Sequence, residues 1–125
     1  MKLFTVAEAN ALLPTVRGIL KRIQQVHRKL ASYHDAVKPA VEGAEHGGGG
    51  FGDGLRYAPL LIKLTSETSE LEVLGVQLKD FGRGLVDFPS IRDGRVVLLC
   101  WQLGEGDEVE WWHEVEDGFA GRSPI

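Results

Sequence analysis

A chain of 125 residues with a net charge of −4 is long enough for one hydrophobic core and too short for two. Its longest apolar run, residues 96–101, is far shorter than the roughly 20 residues of a membrane span, and we expect neither a membrane partner nor a signal peptide. The single cysteine, Cys100, has no partner for an internal disulfide, which favours a reducing, cytoplasmic setting.

The charge is unevenly divided along the chain. Residues 1–40 carry seven basic and two acidic side chains, a net charge of +5, and residues 41–125 carry seven basic and sixteen acidic ones, a net charge of −9. The basic side chains Arg17, Lys21, Arg22, Arg28 and Lys29 could form a nucleic-acid patch. Because the overall charge opposes phosphate binding, we expect instead that the basic part packs beside the acidic part, within one chain or between copies.

The first helix is predicted over residues 5–38. Thr5 and Glu8 have the spacing of a capping box at its start, and Pro14 predicts a kink or a restart near Leu13. Beyond it, apolar side chains recur at alternating steps of three and four residues: Val16, Ile19, Ile23, Val26, Leu30, Tyr33 and Val37. This spacing is typical of a coiled-coil seam, so the helix should pack lengthwise against another helix.

A second helix is predicted over residues 55–75, after a glycine-rich joint at residues 39–54. Its apolar positions also recur at helical spacing: Tyr57, Leu60, Leu61, Leu64, Thr68, Leu71 and Leu74. Gly75 is well placed to end this helix as the residue that follows its C-cap. The two helices therefore predict an antiparallel hairpin.

Residues 76–125 predict a β-meander with a pinned C-terminal tail. The hydrophobic period changes to two after Gly75, and strands are predicted at residues 76–79, 84–90, 95–102 and 109–114. The Asp93-Gly94 pair predicts a two-residue hairpin that sets Asp87 opposite Cys100. One face of this hairpin, the core face, collects Val86, Phe88, Val97, Leu99 and Trp101. The other, the mixed face, collects Leu85, Asp87, Pro89, Leu98, Cys100 and Gln102.

The turn sequence leaves the register of the last predicted hairpin open. A three-residue loop at residues 105–107 would align Trp111 with Trp101 and place Val109, Trp111 and His113 on the core face. A loop of two or four residues would exchange the faces, because a slip of one residue turns every side chain over. We favour the three-residue loop, with Trp112 on the mixed face.

Polar side chains of the meander supply the candidates for chemistry. Asp87 lies between apolar neighbours, so its carboxylate needs a partner, for which Arg95 and Arg122 are the candidates. Asp87, Glu105 and His113 could together hold a divalent metal ion, although their spacing contains no metal-binding motif. Acid–base catalysis by Asp87 and His113 is a further option. Cys100, in the middle of a strand, is interpreted as a small buried hydrophobe.

The motif strings of the chain identify a family resemblance. "GLVDFPS", "GRVVLLCWQLGE", "WWHE" and "GFAGRSPI", together with the opening "FTVAEANALLP", resemble the bacterial family known as domain of unknown function 2203. The resemblance spans nearly the whole chain, and the visible departures are confined to the glycine-rich joint. It implies a bacterial, intracellular setting and no particular activity.

The sequence therefore predicts an α+β fold, in which a long antiparallel helical hairpin is followed by a small antiparallel β-meander. The function we expect is a non-enzymatic homo-oligomer, joined through its helices, whose meander binds a ligand or partner through Asp87, Trp112, His113 and Arg122. No cofactor is predicted for it. The alternative is a small metal-dependent enzyme or metalloprotein using Asp87, Glu105 and His113, and nucleic-acid binding ranks third.

Overall fold

The computed structural model of the chain describes the backbone of residues 1–43 and 51–125, and the side chains of residues 1–32 and 57–125. Two helices come first, α1 at Val6–Gly43 and α2 at Phe51–Leu74. Five strands follow: β1 at Gln77–Asp80, β2 at Leu85–Arg92, β3 at Arg95–Gln102, β4 at Trp111–Glu114 and β5 at Ser123–Pro124. The strands form one antiparallel sheet in sequence order. The predicted α+β class is confirmed.

Helix α1 begins as its sequence predicts. The Thr5 backbone N–H donates to the Glu8 carboxylate, and the Glu8 backbone N–H donates to the Thr5 hydroxyl, both at 3.1 Å. This reciprocal pair satisfies two N–H groups that a helix start leaves open. The helix continues through Pro14 without interruption, so the restart considered near Leu13 does not occur. No helix among the described residues is long and apolar enough to cross a membrane.

Helix α2 packs against α1 and ends in a Schellman motif. The Gly75 N–H donates to the Glu72 carbonyl and the Val76 N–H donates to the Leu71 carbonyl, while Gly75 takes a φ of +87°. Between the helices, the Arg22 guanidinium binds the buried Glu67 carboxylate at 3.0 Å. Both helices extend into the range assigned to the glycine-rich joint, of which residues 44–50 lie outside the described part of the chain.

The β2–β3 hairpin has the predicted register. Asp93 and Gly94 both have positive φ, +51° and +77°, which a type I′ turn requires. Asp87 accordingly pairs with Cys100, as predicted. The core-face side chains Val86, Phe88, Val97, Leu99 and Trp101 are all buried, and all but Val97 belong to one core cluster with the apolar side of α1. The sheet is thus held against the helices on its core face, which leaves the mixed face on the side away from them.

The predicted register of the last hairpin was wrong. Trp111 pairs with Cys100 and Trp112 pairs with Leu99, so Trp111 and His113 lie on the mixed face and Trp112 on the core face. The connection from β3 to β4, residues 103–110, is longer than a three-residue loop, and two hydrogen bonds anchor it. The Trp101 indole N–H donates to the Gly106 carbonyl, and the N–H of buried Val109 donates to the Asn10 side chain on α1.

The C-terminal tail is pinned to the sheet. Strand β5 pairs with β4, and the Ile125 N–H donates to the Glu110 carbonyl at 2.9 Å. Between these two strands, residues 115–119 fold over the mixed face, where they line a cavity together with Leu85 and Leu98. The tail also covers the face on which the candidate site lies.

We expect the substitution Gly84→Ala to destabilise the fold by about 1–3 kcal/mol. Gly84 has a φ of +61°, and a Cβ atom there would lie 2.7 Å from Cδ1 of Leu103. Gly94→Ala is the matched control, since Gly94 also has a positive φ but a Cβ there meets no atom within 4 Å. Urea denaturation measures both free energies of unfolding. Equal losses for the two variants would contradict the role of the Gly84–Leu103 contact.

Candidate functional site

Three buried side chains on the mixed face converge on one point. They are Asp87 on β2, Cys100 on β3 and His113 on β4, exposed by only 2%, 1% and 4%. One donor atom from each (a carboxylate oxygen, Sγ and a ring nitrogen) lies within 4.8 Å of the other two. The register explains the convergence. Cys100 on β3 lies directly opposite Asp87 on β2. On the other side of β3, Trp111 lies opposite Cys100, and His113 lies two residues further along β4, opposite Leu98. Side chains in such diagonal positions on one face of a sheet are within reach of one another.

The hydrogen bonds of His113 fix its protonated nitrogen. Nδ1 lies 2.7 Å from the backbone carbonyl oxygen of Glu114, and Nε2 lies 3.1 Å from both carboxylate oxygens of Asp87. A carbonyl oxygen only accepts hydrogen bonds, so Nδ1 carries a hydrogen. The Nε2 atom, the other ring nitrogen, is then directed at the Asp87 carboxylate, an arrangement that a cation between the two groups would complete.

Cys100 is held as a neutral thiol. Burial raises the pKa of the Cys100 thiol to about 12, and the negative charge of Asp87 adds to the rise. Arg122, whose Nη1 lies 4.0 Å from Sγ, acts in the opposite direction by favouring the thiolate. A thiol with this pKa is a poor nucleophile at neutral pH. The raised pKa of its thiol therefore argues against Cys100 as a catalytic nucleophile.

The predicted arginine partner of Asp87 was wrong. Arg95 pairs with the Glu114 carboxylate, and Arg122 pairs with the Glu105 carboxylate at 2.9 Å. Glu105 is further held by the Gln102 backbone N–H at 2.8 Å. These contacts occupy the Glu105 carboxylate, and the buried cluster contains Cys100 where the sequence hypothesis had Glu105. The Asp87 carboxylate instead contacts the imidazole ring of His113.

Of the four predicted ligand-binding residues, the structure brings Asp87 and His113 together, places Arg122 beside them and separates Trp112. Trp112 packs against the core from the opposite face, with the Arg92 guanidinium 4.7 Å from its ring centroid. Trp111 takes the position expected for Trp112: the Arg122 guanidinium lies 4.8 Å from its ring. The same guanidinium lies 4.1 Å from the Phe119 ring, so it is fixed by two aromatic rings and one acid.

A cavity of about 280 Å³ opens above the cluster. Asp87 and His113 form part of its lining, together with residues of β1, β2, β3 and the C-terminal segment: Lys79, Leu85, Leu98, Val115, Glu116, Asp117, Gly118 and Phe119. A larger cavity of about 690 Å³ lies between the N-terminus and the end of α2, and its described lining contains neither Cys nor His. Of these two cavities, the smaller one is lined by the candidate metal ligands Asp87 and His113.

The basic residues of α1 are partly neutralised within the chain. Arg17 pairs with Asp107 at 3.0 Å, and Arg22 pairs with Glu67 and Glu70. Arg17 also lies 5.5 Å from the centroid of the Trp101 ring. Arg17 and Arg22, two of the five basic side chains considered for nucleic-acid binding, thus pair with acids from residues 41–125. This agrees with the expectation that the basic part of the chain packs beside the acidic part.

Sequence reasoning did not assign Cys100 to the metal site, although the Asp93-Gly94 turn already placed it opposite Asp87. Its mid-strand position favoured the interpretation as a buried hydrophobe. Lys79 is close to the candidate residues in the meander, but no role was assigned to it from the sequence. It occupies a β-bulge, where Leu78 pairs with Val86 and Asp80 pairs with Leu85, so that Lys79 is the extra residue.

A family model described as "Uncharacterized conserved protein (DUF2203)" matches residues 2–125. The resemblance identified from the motif strings is confirmed. No curated protein and no solved structure matches the chain. The chemistry of the site must therefore be inferred from its own residues.

Proposed function

The chain belongs to the DUF2203 family of uncharacterised conserved proteins, and we propose that it binds a divalent transition-metal ion through Asp87, Cys100 and His113. The single observation that carries the proposal is the convergence of these three buried side chains beneath a cavity. A thiolate, an imidazole and a carboxylate together favour Zn²⁺ over Mg²⁺ or Ca²⁺, which prefer oxygen ligands.

The distances support a tetrahedral ion. Bonds of about 2.0–2.3 Å to zinc put neighbouring ligand atoms about 3.3–3.6 Å apart. The Nε2 atom of His113 lies 3.1 Å from the Asp87 oxygens, and all three donor atoms lie within 4.8 Å. The 4.8 Å limit exceeds the zinc range by about 1.2 Å, so the three side chains would have to move closer together to coordinate an ion. The ion would lie between Nε2 of His113 and the Asp87 carboxylate.

The surroundings of the cluster also support metal binding. Metal-binding histidines usually donate their second ring N–H to a carbonyl or carboxylate, and His113 Nδ1 faces the Glu114 carbonyl. Arg122, held by Glu105, lies 4.0 Å from Sγ and favours the thiolate that a metal needs. Three protein ligands leave one position open, as in catalytic zinc sites. Because Asp87 and His113 line the cavity, that position would face it.

We further propose that the protein is a homo-oligomer joined through its helices in a bacterial cytoplasm. On α2, Ile62 and Val73 are exposed by 71% and 86% and lie on the same outer side of the helix, eleven residues apart. The helices also carry complementary exposed charges, basic Lys21 and Arg28 on α1 and acidic Glu72 on α2. A second copy would cover the apolar side chains and pair these charges. A reducing compartment would keep Cys100 available to the metal.

Native mass spectrometry of untagged protein, after incubation with one equivalent of Zn²⁺, tests both proposals in one spectrum. We expect an oligomer that carries one zinc ion per chain. Cys100→Ser and His113→Ala should each lose the ion, whereas Glu105→Gln should retain it, because Glu105 is paired with Arg122 outside the cluster. Circular dichroism checks that each variant is folded.

Other outcomes would count against the proposals separately. Wild-type protein without zinc, or a folded Cys100→Ser variant that still binds one ion per chain, would exclude the three-residue site. Loss of zinc in folded Glu105→Gln would restore the sequence hypothesis with Glu105 as a ligand. A monomer at micromolar concentration would argue against assembly through the helices.

A further inference from the structure

The cavity at the proposed metal site is lined, besides Asp87 and His113, by three chemically distinct kinds of side chain. One cation, Lys79, comes from β1, and two acids, Glu116 and Asp117, come from the C-terminal segment. Four further lining side chains are apolar: Leu85, Leu98, Val115 and Phe119. A ligand that matches this lining must carry a negative group, a positive group and an apolar body.

Lys79 is placed in the cavity by an irregularity of the sheet. Leu78 pairs with Val86 and Asp80 pairs with Leu85, so one additional residue, Lys79, is inserted into β1 opposite β2. A β-bulge changes the direction of a side chain and is common beside functional sites. Within residues 1–32 and 57–125, Lys79 has no ion-pair partner. Its ammonium group is therefore available to a negatively charged ligand.

The two acids lie in the turn that follows β4. The Asp117 N–H donates to the Glu114 carbonyl, which closes this turn, and the side chains of Glu116 and Asp117 are exposed. Like Lys79, neither acid pairs with a cation of the part of the chain whose side chains are described. Their charges repel a simple anion and favour a ligand that also carries an ammonium group.

We propose that the cavity binds a free α-amino acid with an apolar side chain. This inference rests on the proposed metal site. The carboxylate of the ligand occupies the open position of the metal and approaches Lys79. Its ammonium group lies between Glu116 and Asp117, and its side chain packs against Leu85, Leu98 and Phe119. A cavity of about 280 Å³ has room for one such molecule.

Protein loaded with Co²⁺ in place of zinc makes the test spectroscopic. Coordination by Cys100 gives a thiolate-to-cobalt charge-transfer band, and a new ligand at the open position changes the visible d–d bands. Leucine is titrated in parallel with 4-methylpentanoate, which lacks its ammonium group, and 3-methylbutylamine, which lacks its carboxylate. We expect leucine to change the d–d bands at a concentration at least tenfold lower than either analogue, with the charge-transfer band retained.

Variants of Lys79 identify the anion-binding contact. Lys79→Met should weaken leucine binding at least tenfold and leave the charge-transfer band unchanged, and Lys79→Arg should retain most of the binding. Equal titration midpoints for leucine and its analogues, or an unaltered midpoint in Lys79→Met, would overturn the inference. So would loss of the charge-transfer band on adding leucine, because the amino acid would then be extracting the metal. Absence of that band before any ligand is added would instead refute the proposed metal site.

Discussion

The affinity for Zn²⁺ is expected to rise about tenfold for each unit of pH around neutrality, since the thiol proton of Cys100 leaves the site when the metal binds. Burial raises the pKa of this thiol to about 12, so the proton stays bound until the metal displaces it. The proton competes with the ion, so affinity increases with pH and falls with acid.

Competition titrations with a chromophoric zinc chelator at three pH values between 6.5 and 7.5 measure this slope. The Cys100→Ser variant is the matched control, because it has no thiol proton to displace and should not compete with the chelator at any of the three pH values. An affinity of the wild-type protein that does not change with pH would mean that the metal displaces no thiol proton from Cys100.

Deleting residues 109–125 is expected to unfold the protein. The deletion removes β4, β5 and the buried side chain of Val109, and it uncovers the mixed face of the sheet. It also removes His113, the hydrogen-bond partner of the Asp87 carboxylate. The buried side chains of Leu85 and Leu98 on the mixed face would then meet water, and each such side chain contributes about 1.5–3 kcal/mol when buried. Losses of this size approach the roughly 5–15 kcal/mol that stabilises a typical domain.

Thermal denaturation followed by circular dichroism tests this expectation. Deletion of residues 123–125 alone is the control, since it removes β5 and the Ile125–Glu110 hydrogen bond but retains Val109 and His113. We expect the shorter deletion to lower the melting temperature by several degrees and the longer one to abolish the cooperative transition. A protein lacking residues 109–125 that melted at the wild-type temperature would show that the C-terminal segment contributes nothing to the core.

Local chemistry explains which features the sequence determined. The capping box at Thr5 and Glu8, the helix end at Gly75 and the type I′ turn at Asp93-Gly94 each depend on residues that are adjacent or nearly so. A backbone that needs positive φ, or an N–H group that needs a partner, specifies the nearby residue directly. The α+β class and the pairing of Asp87 with Cys100 therefore follow from the sequence alone.

Tertiary contacts decided the rest of the candidate site. The Val109 N–H, two residues before β4, donates to the side chain of Asn10 on α1, and no residue within the β3–β4 loop specifies that contact. The register observed for β4 is thus accompanied by a contact with a distant helix. This register brings His113 to Asp87 and sends Trp112 to the opposite face. Several acids were available to Arg122, so its pairing with Glu105 was likewise not determined by the sequence. The sequence by itself determined the elements and one hairpin. The composition of the site was decided only by packing between distant segments, because a shift of one residue in β4 exchanges the faces of the sheet.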